Sequence, residues 1–343
     1  MTVQSSAPTS QDPSPPQPLK TSGLKLVINR VLRVRELSVL VVDIVLIIYF
    51  WVANPDFFTV SNIQNISNFF SAAALIAAGE VFLLVCGEID LSAGMTFALV
   101  PVVMVTLNND GIQLWLALII GLAIAAVIGL FNGLVTQYLM LPSFITTLGT
   151  LYLLHGFSLT LAGSTPLPAP QDGIIPKIFG VWQWSELTWT VVVILVMQVI
   201  LTQTRWGAHT IATGANMIGA SEAGIKVRRI KIRAFVLTAV LSGLAGILDG
   251  TNIAKSFDPN AGGNNLMFTA VAAAVIGGTA LLGGSGTVVG AALGALLLAV
   301  LQDGFNIQGI SATTFVVVEG FAILLAMTAN IYFTRFRARA KVG

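Results

Sequence analysis

Ten apolar runs constrain this chain more than any other feature, at about residues 37–53, 62–86, 93–107, 114–138, 144–162, 187–203, 234–253, 266–282, 288–302 and 313–333. Most are long enough to cross a hydrocarbon layer of ~30 Å at 1.5 Å per helical residue. They lack the alternation of apolar and polar residues that marks a membrane barrel strand. Within lipid the backbone has to satisfy its own hydrogen bonds, so such runs fold as helices. The sequence therefore predicts an all-α polytopic membrane protein with about ten transmembrane helices. The chain is 55% hydrophobic and only 9% charged, against roughly a quarter charged in a soluble domain. The bilayer is its expected medium, and no nucleic acid is expected as a partner.

The placement of charge predicts the topology. Of the 17 Lys and Arg residues, 15 lie in the tail through Arg35, in the segment from Arg205 to Arg233, or in the tail from Arg335. Basic connections favour the cytoplasm. Six spans then separate the first basic segment from the second and four more separate the second from the third, so both termini are expected inside. The expected organisation is a cytoplasmic, partly disordered tail over 1–36, a transmembrane domain over 37–334 with a cytoplasmic segment at 203–233, and a basic tail over 335–343. The first 22 residues are rich in Pro, Ser and Gln and read as disordered, not as a secretory signal. The external connection 162–186 holds four prolines together with Trp182 and Trp184, which suits an ordered loop at headgroup level.

The stretch GEIDLSAG at 87–94 places Glu88 and Asp90 inside this apolar sequence. As one helix, residues 62–107 would extend ~69 Å, over twice the hydrocarbon thickness, so the chain has to break within it. Gly87 is the natural place. Asp90 or Ser92 can then accept hydrogen bonds from the freed N–H groups of the next helix. An ionisable group at bilayer depth costs ~2.5–3.5 kcal/mol and usually persists for function, so both residues are also candidates for a transport path. Glu88 has no capping role and is expected in the cytoplasmic headgroup layer. Asp43, Glu80, Asp249, Asp303 and Glu319 also fall within apolar runs, with no Lys or Arg clearly inside a span to neutralise them. Asp249 and Asp303 lie near span ends, where interfacial exposure is expected. Glu80 and Glu319 sit deeper, as pathway candidates or as protonated, hydrogen-bonded packing groups.

The single Cys86 excludes an internal disulfide and a thiolate cluster, and His155 and His209 are too isolated for a zinc site. Residues 277–297 are glycine-rich but lack the Gly-Lys-Ser/Thr ending of a P-loop. Gly286, Gly290 and Gly294 recur every four residues and predict a close helix–helix approach. The segment 203–233 looks folded: small residues alternate with Ile211, Met217 and Ile218, a pattern for short surface helices that offer apolar knobs to another protein. Its Arg228, Arg229, Lys231 and Arg233 set topology and touch anionic lipid.

Four ordered stretches carry a family resemblance: GEIDLSAG (87–94), NGLVTQYLMLPSFITTLGTLYLLHG (132–156), GANMIGASEAGIKV (214–227) and AVIGGTALLGGSGTVVGAALGALLL (274–298). Together the chain from about 37 to 334 resembles the membrane-spanning permease of bacterial ABC importers for ribose and related monosaccharides. The resemblance implies a cytoplasmic ABC ATPase as partner, an extracytoplasmic sugar-binding protein, a second permease copy or related chain, and a place in the bacterial cytoplasmic membrane. It implies no cofactor on this chain, with ATP and Mg held by the ATPase. By position, Gly214, Asn216, Ala220, Glu222 and Gly224 fall in the family's ATPase-coupling region. Two departures stand out: Glu88 replaces a usual Gly, and Ser221 with Glu222 replaces a basic and apolar pair. Such a chain is a conduit and not an enzyme, working by alternating access. The rival is an ion-coupled secondary carrier using Glu80, Asp90 or Glu319 at a broken helix.

Overall fold

The computed structural model describes residues 35–328 apart from 181, 253, 312, 323, 326 and 327, so most of the first tail and all of the last lie outside the described residues. Among the described residues the regular structure is helical, apart from one two-residue strand pair. Helices run in the order α1 (Arg35–Ala53), α2 (Val60–Val85), α3 (Ala93–Asn109), α4 (Leu114–Tyr138), α5 (Ser143–Ala162), α6 (Ile174–Phe179), α7 (Ser185–Gln203), α8 (Arg205–Ala215), α9 (Met217–Glu222), α10 (Val227–Asn252), α11 (Gly263–Ile276), α12 (Val288–Ile307) and α13 (Thr313–Ala322). Seven of them, α1, α2, α4, α5, α7, α10 and α12, are long and apolar enough to cross a membrane. The other three expected spans coincide with the shorter apolar helices α3, α11 and α13. Here the ten apolar runs outnumber the full-length helices: α3 is confined between the break at 86–92 and Asn109, α11 ends at Ile276 ahead of the left-handed Gly278, and much of the run 313–333 lies outside the described residues.

Burial sorts the helices into a core and a rim. Nearly every residue from Ser71 to Val85 in α2 and from Ala93 to Val105 in α3 is buried, and α10 and α12 are largely buried. By contrast α1, α4, α5 and α7 expose large apolar side chains such as Val52, Val127, Tyr152 and Leu195. Those outward faces suit lipid.

Hydrocarbon solvates a Leu side chain as well as protein does, so burial of apolar area contributes little to holding these helices together, and close packing has to do it. Small residues supply the closeness around α10. A methyl group at Gly129 of α4 would collide with the Phe235 carbonyl oxygen, and one at Gly79 of α2 would lie 2.7 Å from the Thr238 Cα. A methyl at Gly246 would collide with the Phe97 carbonyl oxygen of α3. That carbonyl is the one left without its helical donor, because Pro101 stands inside α3. Gly290 and Gly294 press α12 onto the backbone of α11 at Gly277 and Ala273. Gly286 precedes α12, whose N-cap is Thr287. It therefore does not share their helical face; it sits in the preceding turn against Thr279 and Val85.

Side chains from other elements satisfy exposed helix ends. Gln198 of α7 accepts from the N–H groups of Val288 (2.9 Å) and Val289 (3.1 Å) at the start of α12. On the far side, β1 (Leu167–Pro168) pairs antiparallel with β2 (Ser256–Phe257). Asn252 adds bonds to the carbonyls of Gly180 and Trp182 and to Ser185 Oγ (3.3, 2.9 and 2.7 Å). The loop between α5 and α7 is thus ordered against the end of α10, and Trp182 is exposed.

The glycine contacts predict a graded response. Gly246→Val should lower stability by roughly 1–3 kcal/mol through overpacking, read as a lower thermal unfolding midpoint in detergent. Gly149→Ala, with no atom near the added methyl, should leave the midpoint unchanged.

Candidate functional site

The break is a built polar site. Helix α2 ends at Val85, and Gly87 (φ +76°) turns the chain through a left-handed conformation open to glycine at little cost. Residues 88–92 then need partners for their backbone. Ile89 N–H donates to Ser143 Oγ (3.3 Å) and Leu91 N–H to Thr147 Oγ1 (3.0 Å), both on α5. Asp90, fully buried, accepts from Ser92 N–H (2.9 Å) and Ser92 Oγ–H (2.5 Å) and, more weakly, from Asn132 Nδ2 (3.3 Å). Asn132 also donates to Ser92 Oγ (2.8 Å), and its carbonyl accepts from Thr150 Oγ1 (2.7 Å). Ser92 occupies the N-cap position of α3 but makes no capping bond. The expectation of a Ser92 cap is corrected: its hydroxyl is turned to Asp90.

Glu88 is held by two protein partners. Its Oε1 accepts from Lys231 Nζ (2.7 Å) and from Gln137 Nε2 (3.1 Å), and the ion pair is only about a tenth exposed, 11% and 10% for the two side chains. Helix α10 starts at Val227, seven residues before the expected span, and so brings Lys231 into reach. The loop of the break is thereby tied to α10 and α4.

A second region lies on the opposite side. A cavity of about 630 Å³ is lined by Asn65, Asn68 and Phe69 of α2, Phe97 of α3, Asp249 of α10, Asn265 and Thr269 of α11, Gln302 of α12, and Phe315 and Glu319. Glu319 accepts from Thr269 Oγ1 (2.6 Å). A second cavity of about 330 Å³ shares Asn65 and Asn68 and adds Gln64, Gln183, Asn252 and Lys255. From Val227 to Asp249, α10 spans ~33 Å, so the cavities and the basic segment 203–233 lie at opposite ends of one helix. Of these the sequence marked only Glu319 as a pathway candidate; Asp249, expected at an interface, lines the cavity instead. Sequence reasoning missed the carboxamides, whose one signal was the recurrence of Asn62, Asn65 and Asn68 every three residues.

The remaining candidates lie elsewhere. Glu80, Asp90 and Ser92 are fully buried and line neither cavity. The Glu80 carboxyl lies beside Asp90, close to both its backbone and its side chain. Asp303 does not reach an interface: it is 3% exposed and accepts from Asn62 Nδ2 (2.6 Å). Among the described residues no group of His, Cys, Asp and Glu could hold a metal.

On the basic side, α8 and α9 form a short helical pair. Thr204 caps α8 through Gly207 N–H (3.2 Å), and Asn216 caps α9 through Gly219 N–H (2.9 Å). Gly224 (φ +83°) ends α9, with Ile225 N–H returning to the Ala220 carbonyl (3.0 Å). Ala220 is buried, while Asn216 and Glu222 are exposed. Met217 and Ile218 stand 52% and 70% exposed, and Ile211 packs inward onto the core. Gly214 lets α8 touch the Val85 carbonyl at the end of α2, and Gly284 N–H donates to that same carbonyl (2.9 Å). The helical pair therefore abuts the break directly.

The network at the break should answer to substitution in order of lost bonds. Asp90→Ala strands the donors of Ser92 and Asn132 and should cost about 1–3 kcal/mol for the unsatisfied groups. Asp90→Asn, which keeps an acceptor oxygen, should cost less. Thermal unfolding of the two purified variants beside wild type checks the order.

Comparison with known proteins is made against this geometry. Residues 62–327 match the family described as branched-chain amino acid transport system / permease component. The chain is 34% identical to the xylose/arabinose import permease protein XylH of Sulfolobus acidocaldarius over 321 residues, covering 92% of this chain and 90% of that one. It is 32% identical over 306 residues to the autoinducer 2 import system permease protein LsrC of Photorhabdus laumondii, covering 89% and 90%. To LsrC of Yersinia pseudotuberculosis it is 37% identical over 245 residues, covering 69% and 68%. No solved structure matches. A helical membrane chain matched over most of its length by one permease model and by import permeases belongs to that family, as a membrane permease component and not an enzyme.

Proposed function

We propose that this chain is the translocating subunit of an ABC importer that carries a monosaccharide or related polyol into the cytoplasm. The observation that carries this reading is the near full-length similarity to a xylose/arabinose import permease. A cytoplasmic ATPase binds ATP and Mg and drives the cycle, and an extracytoplasmic binding protein delivers the solute. Two permease chains, identical or related, form one path in the cytoplasmic membrane. Each crosses about ten times with both termini inside, a topology supported by the concentration of Lys and Arg in three segments.

The coupling surface is the helical pair α8–α9. Exposed apolar side chains at Met217 and Ile218 beside polar Asn216 and Glu222 suit a protein groove better than water. Force on this pair reaches the core through Gly214, which contacts the end of α2, and through α10, which follows Gly224 and holds Glu88 by way of Lys231. Alternating access then amounts to a shift of α2 and α10 that opens the cavity to one side or the other.

Uptake of labelled sugar into proteoliposomes tests the reading. It should require ATP, the ATPase and the binding protein together; uptake by this chain alone under an ion gradient would support a secondary carrier instead. Ile218→Glu should reduce co-purification with the ATPase and ATP-driven uptake at least tenfold while membrane insertion is unchanged. Unaltered uptake would remove α9 from the coupling surface.

A further inference from the structure

The larger cavity gathers four carboxamides, Asn65, Asn68, Asn265 and Gln302, from three helices. Asn65 and Asn265 are exposed, although each belongs to an apolar helix of a membrane protein. Unbonded amides facing hydrocarbon cost several kcal/mol each by transfer to an apolar medium, so this face is wet and belongs to a path. A carboxamide both donates and accepts, as a sugar hydroxyl does. The faces of Phe69 and Phe97 supply flat apolar walls beside them.

The charge of the cavity is one-sided. Asp249 and Glu319 line it, and among the described residues no Lys or Arg does. Glu186, 2% exposed, is a further acid near Asp249. Of the residues lining the two cavities the sole cation is Lys255, in the smaller one. Its ammonium is engaged by the carbonyls of Gly180 (3.2 Å) and Thr251 (3.0 Å). An incoming anion would meet two acids in the larger cavity and, among the described residues that line it, no cation.

We infer that this cavity is a solute site that admits neutral polyhydroxylated molecules and turns away anionic ones, with Asp249 and Glu319 as the residues that reject negative charge. The inference rests on the importer reading for the path itself, and it gives the permease a selectivity separate from that of the binding protein. It also distinguishes this chain from a carrier of amino acids, whose α-carboxylate would find no cation among the described residues lining the larger cavity.

Thiol labelling in the assembled, reconstituted complex tests it without delivery by the binding protein. Cys86 is buried, 3% exposed, so Asn265→Cys provides a reporter in the cavity, with the unsubstituted chain as background. Methanethiosulfonate reagents bearing a trimethylammonium or a sulfonate group are compared, each normalised to its rate with a free thiol. The cationic reagent should react at least tenfold faster. Asp249→Asn and Glu319→Gln should each reduce that bias, and the double variant should abolish it. Xylose should slow labelling, and xylonate should do so only once both acids are neutralised. Equal rates for the two reagents, or a bias that survives the double variant, would overturn the inference. Each single variant gives an independent reading if the double variant fails to assemble. A charge bias that is present while no monosaccharide or polyol is taken up with ATP, the ATPase and the binding protein would refute the importer reading and leave the cavity's selectivity standing.

Discussion

Close approach of helix backbones is the constraint on which the rest of this structure depends. In water, burying apolar area would bring the helices together; between lipid tails it contributes almost nothing, and contact quality decides. Around α10 that quality comes from missing side chains, with Gly79, Gly129 and Gly246 each placed where a neighbour's backbone passes. This agrees with the run of small residues from Ser71 to Gly79 in the buried helix α2, while the rim helices expose bulky Val, Leu, Ile and Phe. It also fixes which parts can move together, because helices locked backbone to backbone shift as a unit and do not slide side chain by side chain.

The break between α2 and α3 is where this packing meets polar chemistry. Non-helical backbone at membrane depth is tolerated only where protein or water satisfies it, and α5 answers with Ser143 and Thr147 while α4 answers with Asn132. Glu88 and Lys231 then join this loop to α10. A partly buried pair of this kind adds little net stability, since desolvation offsets much of the attraction; its effect is to fix position. The same few residues are bordered by Gly214 and Gly284, so the loop, the α8–α9 pair and the turn before α12 share one junction.

Much of the helical skeleton was legible because hydrophobic length alone dictates it in a membrane. The break at Gly87 was legible from the impossibility of a ~69 Å helix, and the folded character of 203–233 from its mixture of small and apolar residues. Other features were hidden for physical reasons. Lys231 read as a topogenic charge because nothing in the sequence shows that α10 begins seven residues early and carries the lysine to Glu88. Asn65, Asn68, Asn265 and Gln302 are too sparse within apolar runs to mark a face, and only tertiary packing brings α2, α11 and α12 around one cavity. Asp303 read as interfacial for lack of a visible partner, yet Asn62, 241 residues away in the chain, supplies one.

Pro101 gives the core helix α3 a weak point whose repair lies outside the helix. The carbonyl of Phe97 has lost its own donor, and the bare Cα of Gly246 covers it, a contact that a weak Cα–H···O interaction can stabilise. Flexing α3 at this pivot therefore cannot be a private event: it either carries α10 along or uncovers that carbonyl. A hinge that is silent unless its neighbour moves resists thermal flicker, yet follows readily once α10 is driven.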